Sequence, residues 1–152
     1  RCCARARTRT ARSTSRASDD DHAIVGVAAW EAPGRPRGGL LRRALDLPTF
    51  VRTLGARIPR ALRLEHRFAS ARPTGRSWYL AQIGVAEAAR GLGVGGSLLA
   101  ARLRRIDGER SAAWLEASTP DNARLYARHG FESRGPIDAL PGVRPLGMLR
   151  PA

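Results

Sequence analysis

Two short stretches of this chain carry residues whose types and spacing can do chemistry. The first is Arg90-Gly91-Leu92-Gly93-Val94-Gly95-Gly96, with four glycines in six positions. Glycine removes the side chains that would hold a ligand away from the backbone. A helix is predicted to start here, and its first turn offers unpaired N–H groups and a partial positive charge. A phosphate or pyrophosphate suits such a turn; the plain alternative is a glycine turn that serves only close packing. The second stretch holds Asn122 and Tyr126, which lie at i and i+4 and so share one helical face, one turn apart. Taken alone, two polar residues on a helix surface are most often merely solvated.

The elements that must position these residues follow from apolar periodicity. Residues 1–18, RCCARARTRTARSTSRAS, lack it, and with Asp19–Asp21 the spacing predicts a disordered basic tail over residues 1–20 and a domain over 21–152. His22–Trp30 reads as a strand closed by Pro33-Gly34. From Leu40 to Ala71 the pattern is helical: Leu41, Leu45, Leu47, Val51, Leu54 and Ile58 approximate a helix pair, and Leu62, Leu64 and Phe68 a further short helix. Trp78–Val85 is the central strand, followed by the glycine turn and a helix with Leu99, Leu103 and Ile106 inward and Arg102, Arg104 and Arg105 outward, ended at Asp107-Gly108. Ala112–Ala117 is the next strand, parallel to the central one through a crossover. Thr119 caps a helix from Pro120 to His129 that stops at Gly130. A strand starting at Phe131 and another over Val143–Leu149, hairpinned through Pro141-Gly142, complete the chain.

Two patterns compete for the turn. Gly91, Gly93 and Gly96 satisfy the dinucleotide fingerprint G-x-G-x-x-G, with Glu116, twenty residues past Gly96, as its ribose-binding acid. Five residues, Ala86–Arg90, separate the strand from the first glycine, and little more than fifty follow Gly96, too few for a doubly wound domain. The other pattern, R/Q-x-x-G-x-G/A, is matched by Arg90, Gly93 and Gly95. It resembles the acetyl-CoA pyrophosphate loop of the GNAT superfamily of N-acetyltransferases. WLEASTPDNARLYARHGFE resembles the second half of the same core, in which N-x-x-x-Y precedes G-F; here these are Asn122, Tyr126, Gly130 and Phe131. The resemblance covers about His22 to Arg150.

That resemblance implies an α/β (α+β mixed-sheet) GNAT-like acyl-CoA N-acyltransferase fold, with a central splayed mixed sheet flanked by helices. Acetyl-CoA, the co-substrate, would enter the gap between the strands around Tyr79–Val85 and Ala112–Ala117. Backbone at Ile83 and Val85 would meet the acetyl-pantetheine end. Arg90, Gly91, Gly93, Val94, Gly95 and Gly96 would hold the pyrophosphate, and Asn122 the pantetheine arm. Tyr126 would protonate the departing thiolate, since a phenol with pKa about 10 can donate to a thiolate whose conjugate acid titrates near 8–9. Glu116, at the end of the strand flanking the gap, is the first choice for general base, with a salt-bridged strand-end carboxylate as the other reading. No metal is required. A non-catalytic acyl-CoA-binding module, and further off a dinucleotide domain, are the alternatives to amine acetylation. The family normally opens with a strand and one or two helices, which the arginine- and serine-rich start here replaces.

Composition narrows the partners. All 27 basic residues are arginine, giving a net charge of +14. Their even spread and the absence of lysine point to coding bias, so nucleic acid is not expected to be the main partner. Cys2 and Cys3 are adjacent, with neither metal-ligand nor disulfide-framework spacing. No run of about 18 apolar residues exists, and no signal peptide is visible, so a cytoplasmic protein without a membrane contact is expected. The implied partners are acetyl-CoA and an amine acceptor, with a homodimer compatible.

Overall fold

The computed structural model describes residues 4–9, 12–18, 23–34, 55–138, 142 and 144–152. Seven strands form one sheet: β1 (Ala4–Arg9), β2 (Arg12–Ser18), β3 (Ile24–Glu31), β4 (Ser77–Val85), β5 (Ala112–Ala117), β6 (Glu132–Pro136) and β7 (Leu146–Arg150), in the order β1-β2-β3-β4-β5-β7-β6. Every pairing is antiparallel except β4 with β5. The helices are α1 (Ile58–Ala71), α2 (Val94–Gly108) and α3 (Pro120–Ala127).

The start of the chain corrects the expectation of a disordered tail. Residues 4–9 and 12–18 form a strand pair that extends the sheet beyond β3. Register explains it: Ala4 faces Ala17, Ala6 faces Ser15 and Thr8 faces Ser13, while arginines occupy most of the alternate positions. Small residues and arginines alternate with a period of two, as a strand requires, but without the apolar content that marks one in a sequence. Ser13, Ser15 and Ala17 in turn register with Trp30, Ala28 and Gly26 of β3, the face on which α2 packs.

The core lies between this face and α2: Trp30, Trp78, Leu80, Leu98, Leu99, Leu103, Ile106 and Leu115 are buried. Arg102 was expected on the solvent side and is buried instead. Its guanidinium stacks 4.0 Å from the centre of the Trp78 ring, and Trp78 donates its indole N–H to Glu109 at 2.9 Å. The long stem and flat head of arginine allow that, with charge over the aromatic face. α2 ends at Gly108, as the sequence predicts. Gly108 stays helical, and the left-handed residue is Arg110 (φ 46°), where Ser111 N–H reaches back to Ile106 carbonyl at 3.2 Å.

On the opposite face lies α1, opened by Pro59 in its first turn. Leu64 and Phe68 are half-buried while Leu62 is 60% exposed. The expected helix pair with Leu41, Leu45, Leu47, Val51 and Leu54 lies outside the described residues. The last two strands pair as a hairpin, with β7 inserted between β5 and β6.

Candidate active site

The site is made by a sheet that comes apart. β4 and β5 pair only at Ser77–Ala112, Trp78–Ala113 and Tyr79–Trp114. Just beyond, β4 carries a bulge: Trp30 pairs with Leu80 and Ala29 with Gln82, so Ala81 is left without an opposite residue on β3. A bulge bends its strand and raises the local twist. It also shifts the alternation, so that Leu80, Ile83 and Val85 all turn toward the face shared with α2. A cleft of about 410 Å³ results, with Leu80–Gly84 and Val27 on one wall and Leu115, Glu116, Ser118, Asn122 and Tyr126 on the other. The main chain of β4 beyond Tyr79 has no partner from β5.

Past the cleft the chain makes a short 3-10 turn (Glu87–Ala89) and enters the glycine turn, with Arg90 exposed. Gly91 and Gly93 have φ of 79° and 78°, the left-handed region that L side chains avoid. Gly93 is the N-cap of α2, and with no side chain it leaves the first-turn N–H groups of Val94, Gly95 and Gly96 uncapped. Gly95 lies near Leu125 and Val85, and Gly96 near the His129 ring, so the helix start sits close to α3 and to the end of β4.

α3 starts as its sequence predicts. Thr119 accepts from Asn122 N–H at 3.2 Å, Pro120 opens the first turn, and Asp121 pairs with Arg124. Asn122 donates its side-chain amide to Ser118 hydroxyl at 3.2 Å. Tyr126 is 5% exposed, packs edge-on against Phe131 with ring centres 6.1 Å apart, and has no hydrogen-bond partner for its hydroxyl among the described residues. Burial pushes its pKa up, which keeps the proton on oxygen at neutral pH.

Glu116 is at the cleft, but its carboxylate is occupied. Oε1 accepts from Arg72 Nε at 2.9 Å and from Trp114 indole N–H at 2.8 Å, and Oε2 from Tyr79 hydroxyl at 2.7 Å. The ion pair is largely buried, with 12% and 9% of the two side chains exposed. The Arg72 guanidinium also stacks 3.7 Å from the centre of the Tyr79 ring. Burial above all, then the neighbouring Glu116 charge, raises the Tyr79 pKa far above the ordinary phenol range. Sequence reasoning did not single out Arg72, Tyr79 or Trp114. The signal was present for two of them: Tyr79 and Trp114 are register partners, and Glu116 follows Trp114 by one strand period on the same face. Arg72 arrives from the end of α1, which no local pattern couples to β5.

The expected residues therefore gather in two groups. Ile83, Glu116, Asn122 and Tyr126 surround the cleft. Arg90, Gly91, Gly93, Val94, Gly95 and Gly96 form the helix start next to it, with Val85 between. A single parallel strand pair in an otherwise antiparallel sheet is incompatible with a doubly wound dinucleotide domain.

Comparison with known proteins agrees with this architecture. A family model described as "Acetyltransferase (GNAT) domain" matches residues 60–133, from α1 through the cleft to the start of β6. A solved structure titled as histone acetyltransferase HPA2 and related acetyltransferase, from Corynebacterium glutamicum, is 30% identical over 94% of this chain and 66% of its own, with a TM-score of 0.68. The chain belongs to the GNAT superfamily. Two more distant GNAT-fold structures show the same fold: the polyamine N-acetyltransferase of Drosophila melanogaster (14% identity, 91% of this chain, 74% of that one, TM-score 0.65) and a phosphinothricin acetyltransferase from Sinorhizobium meliloti in complex with acetyl-CoA (19%, 92%, 60%, TM-score 0.57). This GNAT chain spans 66% of the length of the Corynebacterium structure. None of the helices among the described residues is long and apolar enough to cross a membrane.

Proposed function

We propose that this GNAT domain transfers an acetyl group from acetyl-CoA to a primary amine of a small molecule or peptide, by direct attack of the amine. One observation carries the reading: a buried phenol with no hydrogen-bond partner among the described residues, Tyr126, stands on a cleft whose opposite wall is the edge of β4 that β5 leaves open. The site's chemistry fits acetyl-CoA. The uncapped N–H groups of Val94, Gly95 and Gly96, beside Gly91 and Gly93 and with Arg90 at the mouth, suit a pyrophosphate. The open main chain around Ile83 and Val85 suits the acyl end, and the Asn122 amide the pantetheine arm.

Acetyl-CoA supplies the thioester carbonyl and the thiolate leaving group. The amine nitrogen forms the C–N bond as the C–S bond breaks. Tyr126, protonated at neutral pH, gives its hydroxyl proton to the departing sulfur as charge develops there. Holding the amine at the cleft does much of the remaining work, since fixed geometry replaces a bimolecular encounter. The nitrogen proton leaves through water. Glu116 already accepts from Arg72, Trp114 and Tyr79, which stabilises its charged form and makes it a weak base, so its role here is to hold that trio in place.

The test combines calorimetric titration of acetyl-CoA with a thiol-release assay over a panel of amines, on the wild-type protein and Tyr126→Phe. Binding by both, with turnover confined to the wild type, is the expected result. Binding with equal turnover removes Tyr126 from the chemistry. Binding without turnover on any amine makes the domain an acyl-CoA-binding module.

A further inference from the structure

We propose that the acceptor is an amine that also carries an anionic group, a carboxylate or a phosphate, and that this group is bound between α1 and the β6 edge by Arg67 and Arg134. The inference rests on the acetyl-transfer reading and adds the substrate class to it.

A groove of about 520 Å³ runs there, lined by His66, Arg67 and Ser70 of α1 on one side and by Arg134, Ile137 and Asp138 on the other, with Trp114 as its floor. Its charges do not cancel. Asp138 directs its carboxylate to Arg144, Nε to Oδ1 at 2.8 Å. Arg67 reaches only the Asp138 main-chain carbonyl, Nη1 to O at 2.7 Å, and has no carboxylate partner among the described residues. Arg134 touches Glu132 at 3.4 Å, a long contact between two half-exposed side chains. One guanidinium without a counter-ion and a second weakly held therefore face the same groove. A bound carboxylate or phosphate would gain charge-assisted hydrogen bonds from both, whereas a diamine would bring like charge against them.

The groove and the reaction cleft are lined by neighbouring residues of β5, Trp114 for the groove and Glu116 for the cleft. Trp114 is buried, and its indole N–H bonds Glu116, which lines the cleft. Gly147 gives the ring its place: a Cβ there would lie 2.6 Å from the far edge of the indole. An acceptor with its anion at Arg67 and Arg134 can thus lie across Trp114 with its amine toward the cleft. Glu116, which lines the cleft, is paired with Arg72, so its charge is not left to select a second positive charge on the acceptor.

The experiment compares 4-aminobutyrate, 3-aminopropylphosphonate, butylamine and 1,4-diaminobutane in the thiol-release assay at saturating acetyl-CoA. The wild type, an Arg67→Ala/Arg134→Ala double variant and an Arg104→Ala surface control are used, all changed at exposed positions. One or both anionic amines are expected to exceed butylamine and the diamine by about tenfold or more in kcat/KM, the value of roughly one charge-assisted contact. Which of the two leads tells carboxylate from phosphate. The double variant should lose that preference through KM with kcat kept, leave butylamine unchanged, and differ from the Arg104→Ala control. A preference for the diamine, or an equal loss on every amine, overturns the proposal. If acetyl-CoA does not bind, the acetyl-transfer reading fails by itself. The groove is then judged by calorimetric titration of the two anionic amines: binding lost in the double variant sustains it, and no binding to the wild type overturns it.

Discussion

The two ends of the cleft are built on opposite plans. At the cofactor end the protein leaves polar groups open: uncapped N–H groups on α2, an edge of β4 that β5 leaves open and a phenol with no hydrogen-bond partner among the described residues. At the acceptor end it closes polar groups on one another, with Arg72, Tyr79, Trp114 and Glu116 meeting in one network. Open main chain leaves its polar groups for a ligand to satisfy, while a side-chain cluster that satisfies its own polar groups is part of what holds the fold together. The difference predicts that substitutions at the first end cost binding or chemistry with little loss of stability, and at the second the reverse.

The largest effect should come from Gly93→Val. At φ 78° a β-branched residue is strained by about 1–2 kcal/mol, yet a Cβ at this position meets nothing within 4 Å. The chain should stay folded with a modest fall in Tm, while calorimetry loses the acetyl-CoA signal. An unfolded variant would place the turn's importance in the fold and weaken the contrast between the two ends.

Next is Tyr126→Phe. Replacing an acid of this kind typically lowers kcat by about 10²–10⁴-fold, and because the hydroxyl has no partner among the described residues, thermal unfolding should be unchanged. The pKa is raised by burial, so any alkaline loss of wild-type kcat through this group should begin above the ordinary phenol value of about 10. A decline centred near pH 8 that disappears in the variant would contradict the burial argument.

Glu116→Gln should reverse the balance. It leaves Arg72 nearly buried without a carboxylate, at a cost of roughly 2–4 kcal/mol by thermal or denaturant unfolding. Its kcat on a neutral amine should fall less than about tenfold, since a general base contributes 10² or more. A loss of that size, with an acidic limb removed from the pH profile, would make Glu116 the base.

How far the sequence announced all this follows the same division. The glycine turn and the helix that carries Asn122 and Tyr126 were legible because helix starts and glycine turns are local, each written within a few residues. So was the order of elements from β3 onward. The β1–β2 pair was missed because the residues that alternate with its arginines are alanine, serine and threonine, which carry a strand's period without its hydrophobicity. The acceptor-end network was missed because it joins the end of α1 to two strands, and its members become neighbours only through register. Arg102 was misplaced because a period-3.6 pattern assigns arginine to solvent and takes no account of a tryptophan beneath it.

The smallest effect lies where the cofactor end meets its own charge. His129 sits against Gly96 at the start of α2, and its pKa is lowered by burial first and then by Arg128 and Arg150. Arg150 is itself tied to Asp107 and to the His129 carbonyl, the latter at 3.0 Å, so the local field stays positive. A depressed histidine pKa means that the unfolded chain binds a proton the folded one refuses. Stability should therefore decline as pH falls through about 6.5 and level off below the folded value. The ring is only half-buried, so solvent screens part of this and the slope should be shallow. His129→Gln should flatten it, as read from Tm between pH 5 and 8. A bound pyrophosphate at the same helix start would offset the positive field and favour the charged ring, so acetyl-CoA should shrink the acid-side loss in the wild type and leave the variant unmoved. Equal protection of both by acetyl-CoA would mean that His129 does not sense the occupied site.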